Sequence, residues 1–138
     1  MAEQQNTQSN AQQAQGPSKQ HPEFPHSVTE GNWINSPSEH EAHPGQSLVT
    51  QCHEVIRQWA DKRNAIPATV PGTEHDGHLG VLRFDFPGYG GRTLEHVTWG
   101  QWFNTFDDRH LVMIYQEHMR NGRMSNFFHM NSPWREHQ

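Results

Sequence analysis

The chain has a single cysteine, Cys52, among 138 residues. A lone cysteine excludes an intramolecular disulfide and any C-x-x-C metal or redox motif. Nor does any stretch approach the eighteen or so consecutive apolar residues of a membrane-spanning helix, so no membrane contact is expected. The opening Met-Ala-Glu-Gln-Gln has neither the basic nor the apolar region of a secretory signal, and a cytoplasmic location is the expectation. Basic excess is missing too: ten Lys or Arg stand against fifteen Asp or Glu. A phosphate-neutralising stripe cannot be assembled from that balance without leaving an equally acidic face elsewhere, which argues against nucleic acid as a partner. No G-x-S-x-G, P-loop, H-E-x-x-H or dinucleotide fingerprint occurs. Pro87-Gly88-Tyr89-Gly90-Gly91 is glycine-rich but lacks the lysine and helix start that would bind phosphate, and no cofactor is expected.

What is present divides the chain in two. The first twenty residues hold seven Gln and no aromatic, too little apolar surface to offset the entropy of ordering them. From His21 to Gly45 the composition turns to Pro, His, Ser and Glu, with Phe24, Trp33 and Ile34 isolated among them. Residues 1–45 therefore read as a disordered Gln/His/Pro-rich tail, 46–131 as the folded unit and 132–138 as a flexible C-terminus. Charge follows the same boundary. Lys19 faces Glu3, Glu23, Glu30, Glu39 and Glu41 in the tail, a net of 1 − 5 = −4, while the rest carries nine basic and ten acidic residues, a net of −1.

Within the folded unit, Ser47 is a candidate N-cap for an amphipathic helix whose stripe runs through Leu48, Cys52, Val55, Ile56, Trp59, Ala60 and Arg63. On that stripe Cys52 reads as a small buried hydrophobe. Asn64 is a natural left-handed stop, and Pro67 prevents resumption. Ala68-Thr69-Val70 suggests a short strand closed by Pro71-Gly72. Leu79–Phe86 alternates, with Leu82, Phe84 and Phe86 on the buried face and Arg83 and Asp85 on the other, placed to pair with each other or with a neighbouring strand. Thr98 and Gln101 form a capping box for a second helix carrying Trp99, Trp102, Phe103 and Phe106. Leu111–Tyr115 is short enough to be a buried strand, and Asn121-Gly122 signals a type I′ hairpin returning over Met124–Met130. The expected fold is a small α+β domain: two amphipathic helices packed on a mostly antiparallel sheet of three to four strands.

The order of these residues resembles a family of small alphaproteobacterial proteins with the pattern W-A-x-x-R-x-x-x-P-A-x-V-x-G-T, L-R-x-D-F, L-x-x-I-S-W-x-E-F-F-x-x-F, L-x-F-L-Y-Q and S-x-F-x-K. The matching residues are Trp59-Ala60, Arg63, Pro67-Ala68, Val70, Gly72-Thr73, Leu82-Arg83-Phe84-Asp85-Phe86, Leu94-Glu95, Thr98-Trp99, Phe103, Phe106, Leu111, Tyr115-Gln116, Ser125 and Phe127-Phe128. Gln101-Trp102 departs from the family's acidic and aromatic pair, and His129 stands at its basic position. Members are sometimes labelled 1,4-α-glucan branching enzyme. Retaining glycan chemistry needs two carboxylates about 5 Å apart in a rigid cleft, and the enzymes of that name are built on a (β/α)₈ barrel of about 250 residues. The resemblance therefore implies glycan association at most, and no catalytic residue is assigned.

Three groups of side chains are candidate sites. Glu74-His75-Asp76-Gly77-His78 offers imidazoles and carboxylates in one loop, with His75, Asp76 and His78 as candidate metal ligands and His40 with His43 as a second, weaker set. Neither matches a zinc framework, and solvated loop histidines are the plainer reading. Trp99 and Trp102 would form a candidate binding face for sugar if exposed, although their helical spacing places them in the core first. The residues point foremost to a non-enzymatic accessory or protein-interaction module with a protein partner. A glycan-associated protein, a small metal-dependent enzyme and a nucleic-acid-associated factor using Arg83, Arg92, Arg120 and Arg123 are the alternatives.

Overall fold

The computed structural model describes residues 32–88 and 93–132. Its elements are β1 (Asn32–Trp33), β2 (Ser47–Thr50), α1 (His53–Lys62), β3 (Ile66–Thr69), β4 (Leu82–Asp85), β5 (Glu95–His96), α2 (Trp99–Asp108), β6 (Val112–Gln116) and β7 (Phe128–Asn131). This is the expected α+β class, but the strands form two sheets. One has the order β1-β2-β6-β7, the other β4-β3-β5, and all pairings except β1 with β2 are antiparallel.

The folded unit starts earlier than composition suggests. Ile34 is 5 % exposed, its N–H donates to Val49 O at 2.8 Å, and its carbonyl accepts from Thr50 Oγ1 at 2.7 Å. Residues 32–45 thus belong to the domain, because Trp33 and Ile34 find their core through β2 rather than locally. The rest of the expected tail, 1–31, lies outside the described residues, as do 133–138 and the Tyr89-Gly90-Gly91 part of the glycine-rich turn.

Ser47 is not a helix cap. Ser47–Thr50 forms a strand between β1 and β6, where Leu48, Val49 and Thr50 are buried; burial on both sides outweighs a helical spacing that would expose one face to water. The helix begins at His53 with Cys52 as N-cap residue, and the Cys52 N–H bonds to Thr50 Oγ1 at 3.0 Å. Cys52 is consequently half-buried at the edge of the core.

Both helices stop alike. Asn64 and His110 take positive φ of 55°, and the N–H groups of Ala65 and Leu111 reach back to Ala60 O and Phe106 O, a Schellman arrangement that satisfies terminal carbonyls without glycine. The Thr98–Gln101 capping box that starts α2 forms as expected. Pro67 occupies the central strand of the smaller sheet. Its carbonyl accepts from Val97 N at 3.0 Å, but it has no N–H to return, and β5 ends one residue earlier at His96.

Asn121-Gly122 does close the β6–β7 hairpin, with another geometry. Gly122 has φ 90° while Asn121 is absent from the positive-φ residues, and Gly122 N donates to Met119 O at 2.8 Å. That is an ordinary turn followed by a left-handed glycine, not type I′. The two helices and both sheets meet in one aromatic core around Trp59, Phe84, Trp102, Phe106 and Tyr115. Trp102 stacks on Phe106 and Phe84, and its indole N–H donates to Arg83 O at 3.1 Å, tying α2 to β4.

Candidate functional site

The edge strands β4 and β7, one from each sheet, flank a single open groove of about 600 Å³. Its floor is aromatic: the Phe84 and Phe128 rings meet edge to face at 5.0 Å, and Phe86 stands 6.1 Å from Phe128. Arg83, Asp85 and His129 contribute polar groups to its lining. In an antiparallel ladder alternate residues direct both backbone groups toward the partner strand. Val70 N donates to Val81 O, so Arg83 and Asp85 face β3, whereas the N–H and C=O of Leu82 and Phe84 point away from it. Gln116 N donates to Phe127 O, so His129 and Asn131 face β6, and Phe128 and Met130 direct theirs outward. Two sets of strand-edge donors and acceptors thus border one apolar-floored groove.

The rear of this edge is braced by Arg109, which donates to Gly80 O at 2.7 Å and to Leu79 O. Gly80 packs so closely on Thr73 that a Cβ there would fall 2.4 Å from the Thr73 carbonyl carbon. Thr73 Oγ1 donates to Val70 O and accepts from Val81 N, closing the 70–81 connection just before β4.

A second pocket of about 160 Å³ runs along α1, bounded by Glu39, His40, Trp59, Arg63, Tyr115 and Glu117 among others. Arg63 is 7 % exposed and donates to four carbonyls: Nε to Ser125 O at 2.7 Å, Nη1 to Trp59 O at 2.8 Å, and Nη2 to Glu117 O at 2.8 Å and Gln116 O at 3.5 Å. Its guanidinium also lies 4.3 Å from the Trp59 ring centroid. Burial lowers its pKa to about 10, against the opposing influence of Glu117 and Tyr115. The Tyr115 hydroxyl, on a residue 1 % exposed, has no hydrogen-bond partner among the described residues. Burial above all, then Glu117, raises its pKa. Nearby, His118 Nδ1 is 2.6 Å from Glu41 Oε2, and His40 Nδ1 is 2.9 Å from Glu117 Oε2.

The anticipated site residues are distributed otherwise. His75 and His78 bridge each other through their backbones across a tight turn in which Asp76 has φ 53°. Their side chains are exposed, and this turn supplies no cluster of three metal-ligating groups; among the described residues such a cluster forms only from Glu41, Glu117 and His118. His43 turns to Pro44 O, while His40 joins Glu117. Trp102 is fully buried, so Trp99 and Trp102 do not form an exposed pair. Trp99 is half-buried, stacked on Phe103 at 5.1 Å with the Arg57 guanidinium 5.6 Å from its ring. Asp85 meets His96 at 2.7 Å instead of Arg83, and Arg92 lies outside the described residues.

The backbone edges carry no sequence signature of their own, because every strand has the same peptide groups. Glu41, Glu117 and His118 went unsingled in the sequence for another reason: 76 positions separate the two glutamates, and only the register Ser47↔Gln116 brings their segments together. Among the described residues no helix is long and apolar enough to cross a membrane. No family model, curated protein or solved structure matches the chain.

Proposed function

We propose that this chain is a non-enzymatic protein-interaction module that takes up an extended peptide segment of a partner protein between β4 and β7. The observation that carries the reading is the pair of strand edges facing one groove. Alternating N–H and C=O groups at strand spacing are complementary to another extended peptide, and side chains of that peptide would alternate between the aromatic floor and solvent. A sugar or nucleic acid has no matching ladder of donors and acceptors. A second copy docking edge to edge would satisfy one of the two strands, whereas an inserted segment reaches both. The chain's own first twenty residues are poor occupants, being nearly devoid of apolar side chains. A half-buried lone thiol fits a reducing cytoplasm, where such a module would act. Kinship with the alphaproteobacterial family is part of this reading, its glucan-branching label being carried as a name without a reaction.

Selection of displayed random peptides on the full chain tests the proposal. Enriched sequences should alternate apolar and polar residues, and their binding should fall at least tenfold in Met130→Pro. That substitution removes an outward N–H while leaving the β6 ladder its bonds; circular dichroism and thermal unfolding establish that the variant remains folded. Leu82→Pro removes an outward N–H from the opposite wall and serves as the second variant. Selected peptides that bind both folded variants as well as the parent would overturn the proposal, as would a concentration-dependent dimer that excludes them.

A further inference from the structure

We propose that Glu41, Glu117 and His118 form a binding site for one divalent transition-metal ion of borderline ligand preference, such as Zn²⁺. Each residue offers a ligand atom, and the three atoms lie within 4.8 Å of one another. Zinc holds carboxylate oxygen and imidazole nitrogen at about 2.0–2.2 Å, so tetrahedral ligands stand about 3.4 Å apart. Small side-chain rotations would bring the three to that spacing, the 2.6 Å contact between His118 and Glu41 opening slightly.

The charge arrangement supports a cation. Glu41 and Glu117 have side chains only 12 % and 19 % exposed, and among the described residues the close side-chain partner of each carboxylate is an imidazole. Arg63, the nearest buried cation in the pocket, commits its donors to backbone carbonyls and forms no ion pair with the Glu117 carboxylate. Two carboxylates and a neutral imidazole sum to −2, which one divalent ion cancels.

Two buried polar atoms point independently to a ligand. Glu41 Oε1 is buried with no hydrogen-bond partner among the described residues, and so is the Tyr115 hydroxyl. An unsatisfied buried polar atom costs about 1–3 kcal/mol, which a bound ligand would offset. Metal ligation satisfies the carboxylate oxygen. Tyr115 lines the same pocket as Glu117, His118 and His40, and its hydroxyl is a donor for a water completing the coordination. His40, bonded to Glu117 Oε2 at 2.9 Å, orients that carboxylate from outside.

The test is titration of the EDTA-stripped full chain with Zn²⁺ by calorimetry, with Co²⁺ absorption reporting coordination number and Mg²⁺ as the hard-cation comparison. One equivalent of Zn²⁺ should bind tightly, and Glu41→Gln and Glu117→Gln should each weaken that site tenfold or more. The double variant His75→Ala/His78→Ala should retain it, which separates the site from adventitious binding by exposed histidines. Zinc should also raise the thermal midpoint of the parent and not of Glu117→Gln. If a glutamate variant fails to fold, His118→Ala replaces it, since that side chain is 41 % exposed. Absence of a one-equivalent site, or its survival in the glutamate and His118 variants, would overturn the proposal.

Discussion

Arg63 grips Glu117 by its backbone carbonyl, at 2.8 Å, and leaves the Glu117 carboxylate to His40. The guanidinium therefore acts as a clamp on the chain leaving β6, joining the end of α1 to residues 116–125. Charge-assisted hydrogen bonds contribute about 1.5–3 kcal/mol each when broken singly, and a lysine cannot reproduce the fork. Arg63→Lys should destabilise the domain by about 2–4 kcal/mol in urea denaturation at neutral pH. An unchanged midpoint would contradict the clamp.

In the metal-free chain Tyr115→Phe should be neutral or mildly stabilising at neutral pH, since it deletes a buried hydroxyl without a hydrogen-bond partner among the described residues. Its effect should grow with alkalinity. The folded-state pKa of Tyr115 is raised, so its contribution is fully present below the unfolded value of about 10 and is lost as pH rises through the folded value. Arg63, lowered to about 10, runs the other way, its burial penalty easing between there and its unfolded value near 12.5. Comparing parent and Phe variant leaves Tyr115 and its coupling to Arg63 as the difference. Their stability difference, measured by denaturant titration, should widen in favour of Phe above about pH 10, and a constant difference would refute the assignment.

Gly80→Ala should be among the most damaging single-methyl additions to this chain. The new Cβ would lie 1.8 Å from Thr73 Oγ1 and 2.4 Å from the Thr73 carbonyl carbon, so backbone must move and the Arg109 bonds to Leu79 and Gly80 with it. A loss of about 3 kcal/mol or more is expected from such overpacking. Thermal unfolding measures it, and Gly80→Ala with the parent midpoint would show that the contact relaxes freely.

Gly122→Val should cost on the order of 1–2 kcal/mol for backbone reasons alone, because φ is 90° and an added Cβ meets nothing within 4 Å. Gly122→Asn should cost less, as asparagine tolerates left-handed backbone. Equal denaturation midpoints for the two variants would contradict a conformational origin.

Trp102→Ala should lose about 3–5 kcal/mol, since the ring is fully buried and its N–H bonds to Arg83 O. Trp99→Ala should lose less, its ring being only partly covered. Equal losses, read from chemical denaturation, would place both rings in one core layer.

By itself the sequence determined the elements whose causes are local. Thr98 and Gln101 cap a helix three residues apart, Asn64 ends another by accepting left-handed backbone, and Leu82 with Phe84 alternates as a strand must. Their spacing with the aromatics was enough to set the α+β class. Tertiary structure decided the rest. Whether Ser47–Thr50 continued a helical stripe or became a strand depended on burial between β1 and β6, and Ile34 acquired a core only through β2. Both candidate sites belong to this second kind. The groove consists of peptide groups whose freedom depends on which strands are outermost. The Glu41–Glu117–His118 cluster exists because β2 and β6 align Ser47 with Gln116, and a contact across more than seventy residues leaves no local pattern to read.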